Sequence, residues 1–258
     1  MKTRAINSEI MGEEMARIVP EGVYGEEARR MLVQNHPEIQ GMALNEVRLI
    51  EPVHPLVKGE SRFFEIENDS FFQAIEKWKN QPNVDRPIGG GHGLSAIGEM
   101  PVFVRENNII GVPDFFNASN YMKISRRCLD LLRRFDASAL EALRIDRRDE
   151  SGESLGEYYI VDVLRKIPAI DWGDSQIRAE GVRWPLPPHD LRISIGVGNG
   201  FRIRSDIEEN IHIFRDERNV SSIFISLELK SAMEDAGITG AVYSDPAGLL
   251  AVNSEVKL

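Results

Sequence analysis

The densest candidate for chemistry in this chain of 258 residues is the run Gly89-Gly90-Gly91-His92-Gly93. A phosphate-binding loop needs glycines between a strand and a helix, so that backbone N–H groups converge on the anion. Here the glycines do not complete the G-x-G-x-x-G spacing, and they are not followed by the Lys and Ser or Thr that the other phosphate-loop pattern requires. We interpret the run as a tight or flexible loop. A nucleotide- or phosphate-handling enzyme that uses Gly89–Gly93 is the alternative function.

Candidate nucleophiles are few. His92 and Ser95 lie three residues apart in the glycine-rich loop, which rarely holds catalytic geometry, and no G-x-S-x-G motif occurs in the chain. Cys128 falls early in a predicted helix beside Leu129, where a small buried thiol is expected, although neighbouring arginines would lower its pKa if it were exposed. The sequence therefore predicts no catalytic residue.

Metal-binding patterns are also missing from the sequence. One cysteine and five scattered histidines give no metal-ligand spacing, so neither a metal site nor a cofactor is expected. His212 alternates with Ile211 and Ile213, and we expect it to be an ordinary surface or capped residue on a strand. A single cysteine cannot form an internal disulfide, which favours a reducing cytoplasm.

The charge of the chain is acidic and unevenly distributed. The formal net charge is −10, which disfavours nucleic acid or an anionic membrane surface as the partner. Residues 149–162 carry five acidic side chains and no basic one, directly after a basic stretch. Such a run is usually a solvated loop, and the functional alternative is a surface that binds a basic protein. The residues predicted to contact that partner are Asp149, Glu150, Glu153 and Glu157, followed by Asp206, Glu208, Glu209, Asp216 and Glu217.

A repeated unit dominates the organisation of the chain. Residues 121–135 and 223–237 each read as an apolar strand, a serine and an amphipathic helix, with Ser125 and Ser226 101 residues apart. Both serines are suited to cap a helix N-terminus, and Gly237 is suited to close the second helix. We therefore interpret the serines as caps in two related scaffold units.

The remaining elements predict an α+β fold with mixed or mainly antiparallel sheets. Residues 1–60 are predicted to form a helical N-terminal extension, and residues 61–258 an α+β domain that contains the repeat. Asp69 is predicted to cap a helix that reaches Trp78, and Ser138 a short helix through Leu140 and Leu143. Strands are predicted at 62–66, 100–104, 158–164 and 211–214, and a hairpin is predicted around Asn199-Gly200.

Several segments together resemble a known family. These are Pro113-Asp114-Phe115, residues 158–164 with Ile170-Asp171-Trp172, residues 211–215, and Ala236-Gly237-Ile238-Thr239-Gly240 after the second capped helix. The pattern is similar to the immunity-protein family of bacterial polymorphic toxin systems, long described as a domain of unknown function. The resemblance covers roughly residues 62–245; residues 1 to about 60 and the glycine cluster fall outside it.

The resemblance implies a binding protein rather than an enzyme. Members are thought to neutralise a cognate toxin delivered between competing bacteria, often by type VI secretion. We expect this chain to act in the cytoplasm by covering the toxin's active site. The acidic charge favours a basic toxin, and a nuclease, which is basic in order to bind nucleic acid, fits that charge. Contact through apolar or aromatic side chains such as Trp172 and Trp184, or an adaptor role for the N-terminal helices, are the other readings.

Overall fold

The computed structural model describes most of the chain between residues 42 and 247. The described residues are 42–43, 45–50, 56–57, 59, 61–69, 76–83, 88–106, 111–118, 120–172, 174–183, 191–197, 200–217 and 220–247. The chain divides into two compact units. The second consists of Arg62–Ile167 and Asp206–Ser244, and the first contains Pro168–Ser205 with the residues before 62 and after 244.

The described residues of the first unit form two small antiparallel sheets. Strand β1 (Val47–Ile50) pairs with β11 (Ile177–Arg183), which in turn pairs with β12 (Leu191–Val197). Strand β10 (Ile170–Asp171) pairs with β13 (Arg202–Ile203). Part of the predicted N-terminal extension is thus a strand that pairs with a segment about 130 residues later. Its predicted helices within residues 1–41 lie outside the described residues.

The second unit contains a six-stranded sheet in the order β3-β4-β7-β8-β6-β5. Its strands are β3 (Glu76–Trp78), β4 (Val102–Arg105), β5 (Phe115–Asn117), β6 (Met122–Ser125), β7 (Leu140–Arg148) and β8 (Tyr158–Val163). All neighbouring pairs are antiparallel except β4 with β7. Helix α1 (Arg126–Asp136) follows β6 directly.

A five-stranded sheet in the order β16-β2-β15-β14-β9 completes the second unit. Its strands are β2 (Phe63–Asn68), β9 (Lys166–Ile167), β14 (Ile213–Asp216), β15 (Ile223–Ser226) and β16 (Ala241–Ser244). Only β14 and β9 run parallel. Helix α2 (Leu227–Asp235) follows β15. The predicted α+β class with mainly antiparallel sheets is confirmed.

One apolar core joins the two helices to both sheets of this unit. Leu129 and Leu132 of α1 and Leu229 and Met233 of α2 are at most 1% exposed, and they pack with residues of β6, β8, β14 and β15. The opposite face of the six-stranded sheet forms a smaller cluster around Phe103. Burial of one stripe on each helix is the main force that holds the strand–helix units together.

The two predicted serine caps are confirmed. Ser125 Oγ accepts a hydrogen bond from the N–H of Cys128 at 3.3 Å, and Ser226 Oγ accepts one from the N–H of Leu229 at 3.2 Å. Gly237, at φ 60°, ends α2 in the left-handed conformation. Its N–H donates to Glu234, and the next N–H donates to Met233, which is the Schellman arrangement.

Three predicted local structures are wrong. Trp78, where the helix predicted after Asp69 should end, belongs to edge strand β3, and its ring centroid lies 5.1 Å from that of Phe103. Residues 70–75 of that predicted helix lie outside the described residues. The segment after Ser138 is strand β7, because Leu140 and Leu143 contact opposite faces of the sheet. The strands on either side of Asn199 do not pair with each other as predicted, since among the described residues β12 pairs with β11 and β13 with β10.

The predicted linear division places residues 168–205 and 245–258 in the second domain, whereas here they group with the first unit. Both divisions have a boundary at about residue 61. The division into a helical extension at residues 1–60 and an α+β domain at residues 61–258 stays a prediction.

Candidate functional site

The first acidic segment forms the tip of the hairpin between β7 and β8. Asp149 Oδ1 accepts hydrogen bonds from Ser151 Oγ at 2.6 Å and from the N–H of Glu153 at 2.9 Å. These bonds fix the turn and lower the pKa of Asp149, with the Ser151 bond as the largest contribution. Glu150 and Glu153 are exposed beside it. The tip therefore presents carboxylates on an ordered turn.

Glu157 anchors the other side of this tip to helix α1. Its carbonyl accepts the N–H of Arg126 at 3.1 Å, and its carboxylate lies 3.5 Å from the Arg126 guanidinium. Tyr159 Oη donates to the same carboxylate at 2.6 Å. Glu157 is exposed but already bonded to Arg126 and Tyr159. Glu150 and Glu153 are therefore the carboxylates of this segment that are better placed to contact a partner.

The second acidic segment precedes β14. Arg62 donates to the carbonyl oxygens of Ile207 at 2.6 Å and Glu208 at 2.9 Å, which holds the turn in place. The exposed carboxylates are those of Asp206, Glu208 and Glu209 on this segment and of Glu217 directly after β14.

Asp216 does not fit the predicted surface. It lies in β14 and is only 1% exposed, so this fold leaves its side chain inaccessible to a protein partner. The prediction grouped it with Glu217 by sequence position, but residues on a strand inside a sheet are covered by their neighbours.

Helices α1 and α2 lie side by side and antiparallel. Arg127, in the first turn of α1, donates to the carbonyl oxygens of Ala236 at 3.1 Å and Gly237 at 2.8 Å, at the end of α2. At the other end, Phe135 of α1 contacts His212, which adjoins the α2 cap, with ring centroids 5.1 Å apart. The first acidic segment adjoins the start of α1, whereas the second adjoins the start of α2. The structure therefore places the two segments at opposite ends of the helix pair, whose longer helix of eleven residues is about 16 Å long.

The glycine loop binds a carboxylate of the protein itself. The N–H groups of Gly91 and Gly93 donate to Asp162, at 2.9 Å to Oδ1 and 2.8 Å to Oδ2 respectively, and Leu94 N–H donates to Glu141 at 2.9 Å. Four of these glycines have positive φ, from 64° to 84°. The loop is a backbone nest, as a phosphate site would be. The anion that this nest binds is the Asp162 carboxylate. The glycines are therefore explained by this internal contact, and no bound nucleotide is needed to explain them.

Asp162 also links the two sheets of the second unit. It is completely buried, and Arg215 Nη2 of β14 lies 3.4 Å from its Oδ1. Arg215 is buried too, and it donates to backbone carbonyls that include Asn120 at 2.9 Å and Val163 at 3.2 Å. Sequence reasoning missed this pair, although a charged residue inside the apolar strand Tyr158–Val163 was a signal for it.

Neither capping serine is placed as a nucleophile. Ser226 Oγ lies 2.9 Å from His212 Nδ1, a distance that fits a catalytic dyad, but Ser226 is completely buried and its oxygen caps α2. Ser125 is equivalent: its Oγ donates to Asp114 Oδ1 at 2.7 Å. Cys128 is completely buried, and burial raises the pKa of its thiol. A buried thiol was expected from the sequence, and it is confirmed.

Asp114 connects the two capped units. Its carboxylate accepts from the Arg127 guanidinium, from Ser125 Oγ, and from the Thr239 N–H and Oγ1 at 3.1 and 2.9 Å. Burial raises the pKa of this carboxyl, but the hydrogen bonds outweigh it and lower the pKa to about 2. The segments Pro113-Asp114-Phe115 and Gly237 to Gly240, on which the resemblance rests, therefore meet in space.

A second buried charge cluster lies beside Phe103, on the face of the six-stranded sheet that is opposite to the helices. Glu76 forms ion pairs with Lys123 and with Arg147, whose Nε donates at 2.7 Å. The Arg147 guanidinium stacks 4.4 Å from the Tyr158 ring centroid. Burial lowers the pKa of Lys123, partly offset by Glu76. This cluster was not predicted, because its members lie far apart in the sequence.

Other candidate features give limited information. Among the described residues, no group of three His, Cys, Asp or Glu side chains could hold a metal ion, and neither helix is long and apolar enough to cross a membrane. Trp172 is half-buried, and Trp184 lies outside the described residues.

Comparison with protein families identifies the chain. A model described as an immunity protein family, Imm11, matches residues 34–247, and a search of curated proteins finds no match. The match includes the two capped units, Asp114, Thr239 and both acidic segments. It also begins before residue 60, so residues 34–60, which the resemblance left out, lie within the family match. The chain therefore belongs to the Imm11 immunity protein family.

Proposed function

We propose that this chain binds a cognate antibacterial toxin in the cytoplasm of the producing cell and neutralises it by covering the toxin's active site. The observation that carries the proposal is the family match over residues 34–247. The toxin would be delivered between competing bacteria, for example by type VI secretion. In this proposal the chain is not an enzyme, since the residues that resembled catalytic groups serve as helix caps and internal ligands.

The β7–β8 tip is the contact surface that we propose first. Glu150 and Glu153 are exposed, and the turn that Asp149 stabilises holds their backbone in place before a partner binds. Preorganised charge loses little conformational entropy when a complex forms, and it steers an oppositely charged partner. Glu208 and Glu209, at the other end of the helix pair, form the second contact.

The charge of these surfaces supports a basic toxin. The chain carries a formal net charge of −10, and a protein that acts on nucleic acid is usually basic where it binds phosphates. A nuclease that acts in the cytoplasm would be basic and would meet this chain there. Coverage of its nucleic-acid-binding surface would block access of the substrate without any chemistry by the immunity protein.

Binding kinetics test the contact surface. The probe is the purified, catalytically inactivated toxin domain encoded beside this gene, and the variants are Glu150→Lys/Glu153→Lys and Glu208→Lys/Glu209→Lys. We expect the first to lower the association rate about tenfold at low salt. The control Glu99→Lys/Glu106→Lys makes the same change of charge at exposed positions elsewhere in the unit, and it should keep the parent rate. If both acidic variants bind like the parent, the contact is apolar or aromatic instead.

A further inference from the structure

The outward faces of α1 and α2 carry opposite charges. The exposed charged residues of α1 are Arg126, Arg127, Arg133 and Arg134, with one carboxylate, Asp130. Those of α2 are Glu228, Glu234 and Asp235, with the half-buried Lys230 beside them. The basic face of α1 is an exception in a chain of net charge −10. The helix dipole favours basic residues in the last turn, which accounts for Arg133 and Arg134 but not for the other two arginines.

The two capped units place these charges at equivalent positions. With Ser125 and Ser226 aligned, three arginines of α1 correspond to three acidic residues of α2, each 101 residues later: Arg127 with Glu228, Arg133 with Glu234, and Arg134 with Asp235. The repeat thus keeps the apolar stripe and inverts the charge of the exposed face.

The opposite charges are not used for ion pairs between the two helices. Within the described part of the chain, Arg127 pairs with Asp114, Arg126 with Asp130 and Glu157, and Glu234 with Lys230. Arg133 and Arg134 have no ion pair with α2 in that part of the chain. Arg133, Arg134 and Glu228 are exposed, and among the described residues none of them forms an ion pair with the neighbouring helix, so their charges are available for a contact outside the molecule.

We propose that the outer face of the helix pair binds a second copy of this chain. If two copies face each other across a two-fold axis parallel to the helices, α1 of each lies against α2 of the other. Because α1 and α2 run antiparallel, Arg133 and Arg134 then lie near the partner copy's Glu228. Such an interface is closed and self-complementary, as two-fold symmetry requires. It leaves the acidic segments at the ends of the helix pair free.

The size of the face sets the strength of the dimer. Helices of eleven and nine residues, packed about 10 Å apart, present a face of roughly 300 Å² per copy, well below the roughly 800 Å² of a standard interface. The dimer is therefore weak and depends on charge, and salt weakens it because its ion pairs are exposed.

Sedimentation of the full chain tests the dimer. In about 50 mM NaCl we expect a concentration-dependent rise from the monomer mass of 29.1 kDa toward twice that mass, and monomer alone in about 500 mM NaCl. Arg133→Glu/Arg134→Glu and Glu228→Arg should each be monomeric in low salt. Lys77→Glu/Lys79→Glu, on or beside the edge strand β3, changes the charge as much as the double arginine variant and should dimerise like the parent.

A mixture of the two monomeric variants separates charge complementarity from misfolding. In the mixed dimer both contacts pair opposite charges again, so an equimolar mixture should regain the parent's dimer fraction. A parent that stays monomeric at low salt, or a mixture that does not dimerise, overturns the proposal. Neither result bears on toxin binding, which is measured with the acidic-segment variants.

Discussion

Thr239 Oγ1 donates a hydrogen bond to Asp114 Oδ2 at 2.9 Å, and this contact joins the end of one capped unit to the start of the other. The Arg127 guanidinium donates hydrogen bonds to the same carboxylate and to the carbonyl oxygen of Gly237 at the end of α2. Gly240 completes the junction, because a Cβ there would lie 2.4 Å from the Phe115 carbonyl oxygen. The junction holds the helix pair in register, and so sets where both acidic segments lie.

Asp114→Asn tests the junction. The folded-state pKa is about 2 against an ordinary 3.8, and the side chain is only 11% exposed. The depressed pKa makes the ionised carboxylate worth about 2 kcal/mol of unfolding free energy above pH 4, a contribution that disappears as the pH falls toward 2. Urea unfolding should show the variant less stable by about 2 kcal/mol at pH 7, with the difference shrinking at lower pH. Asp130→Asn, on the exposed face of α1, should change stability by less than about 0.5 kcal/mol. A pH-independent difference for Asp114→Asn would contradict the assigned ionisation.

Gly89→Ala tests the glycine loop. Gly89 has φ 76°, and an added Cβ would lie 2.3 Å from the Asn120 carbonyl oxygen, so both strain and collision oppose the substitution. We expect a loss of about 2–4 kcal/mol by thermal or urea unfolding. Gly152→Ala is the matched control: its φ is 90° but nothing lies within 4 Å, so it should lose only about 1 kcal/mol. Equal losses at the two positions would show that collision at Gly89 is unimportant.

The nucleotide alternative makes a different prediction for this loop. Because Asp162 already accepts the N–H groups of Gly91 and Gly93, added nucleotides or phosphate should leave the melting temperature unchanged. Differential scanning fluorimetry measures this directly. A stabilisation that saturates with nucleotide concentration would return the loop to the list of ligand sites.

Glu76→Gln tests the buried charge cluster. The substitution leaves Lys123 and Arg147 close together in the interior without their carboxylate, and we expect a loss of about 3–5 kcal/mol. Glu106→Gln, at an exposed ion pair with Lys79, should be nearly neutral. A loss below about 1 kcal/mol for Glu76→Gln would mean that the cluster is solvated.

Local signals predicted some of this structure and could not predict the rest. The serine caps, Gly237 and the burial of Cys128 follow from neighbouring residues, so the sequence was sufficient for them. Strand β7 was misread because Leu140 and Leu143 suit a helix stripe, and only the neighbouring strands reveal that both faces are covered. The Asp114–Thr239 junction, the Asp162 nest and the Glu76 cluster depend on residues between 47 and 125 positions apart, which spacing along the chain does not reveal.

The candidate site shows the same division. Composition predicted acidic exposed segments, and Glu150, Glu153, Glu208 and Glu209 are exposed. The burial of Asp216 comes from its place in strand β14, and the separation of the two segments comes from the antiparallel helix pair. Their contact with a toxin stays a prediction.

Protection from the toxin tests the central claim most directly. A susceptible strain expresses the active toxin domain encoded beside this gene, alone or together with this chain, and viable cells are counted. We predict that the chain restores growth, and that Glu150→Lys/Glu153→Lys protects less than the equally folded control Glu99→Lys/Glu106→Lys. Cell death that the parent chain does not reduce, with the protein present in soluble form, would contradict its role as the immunity protein of that toxin.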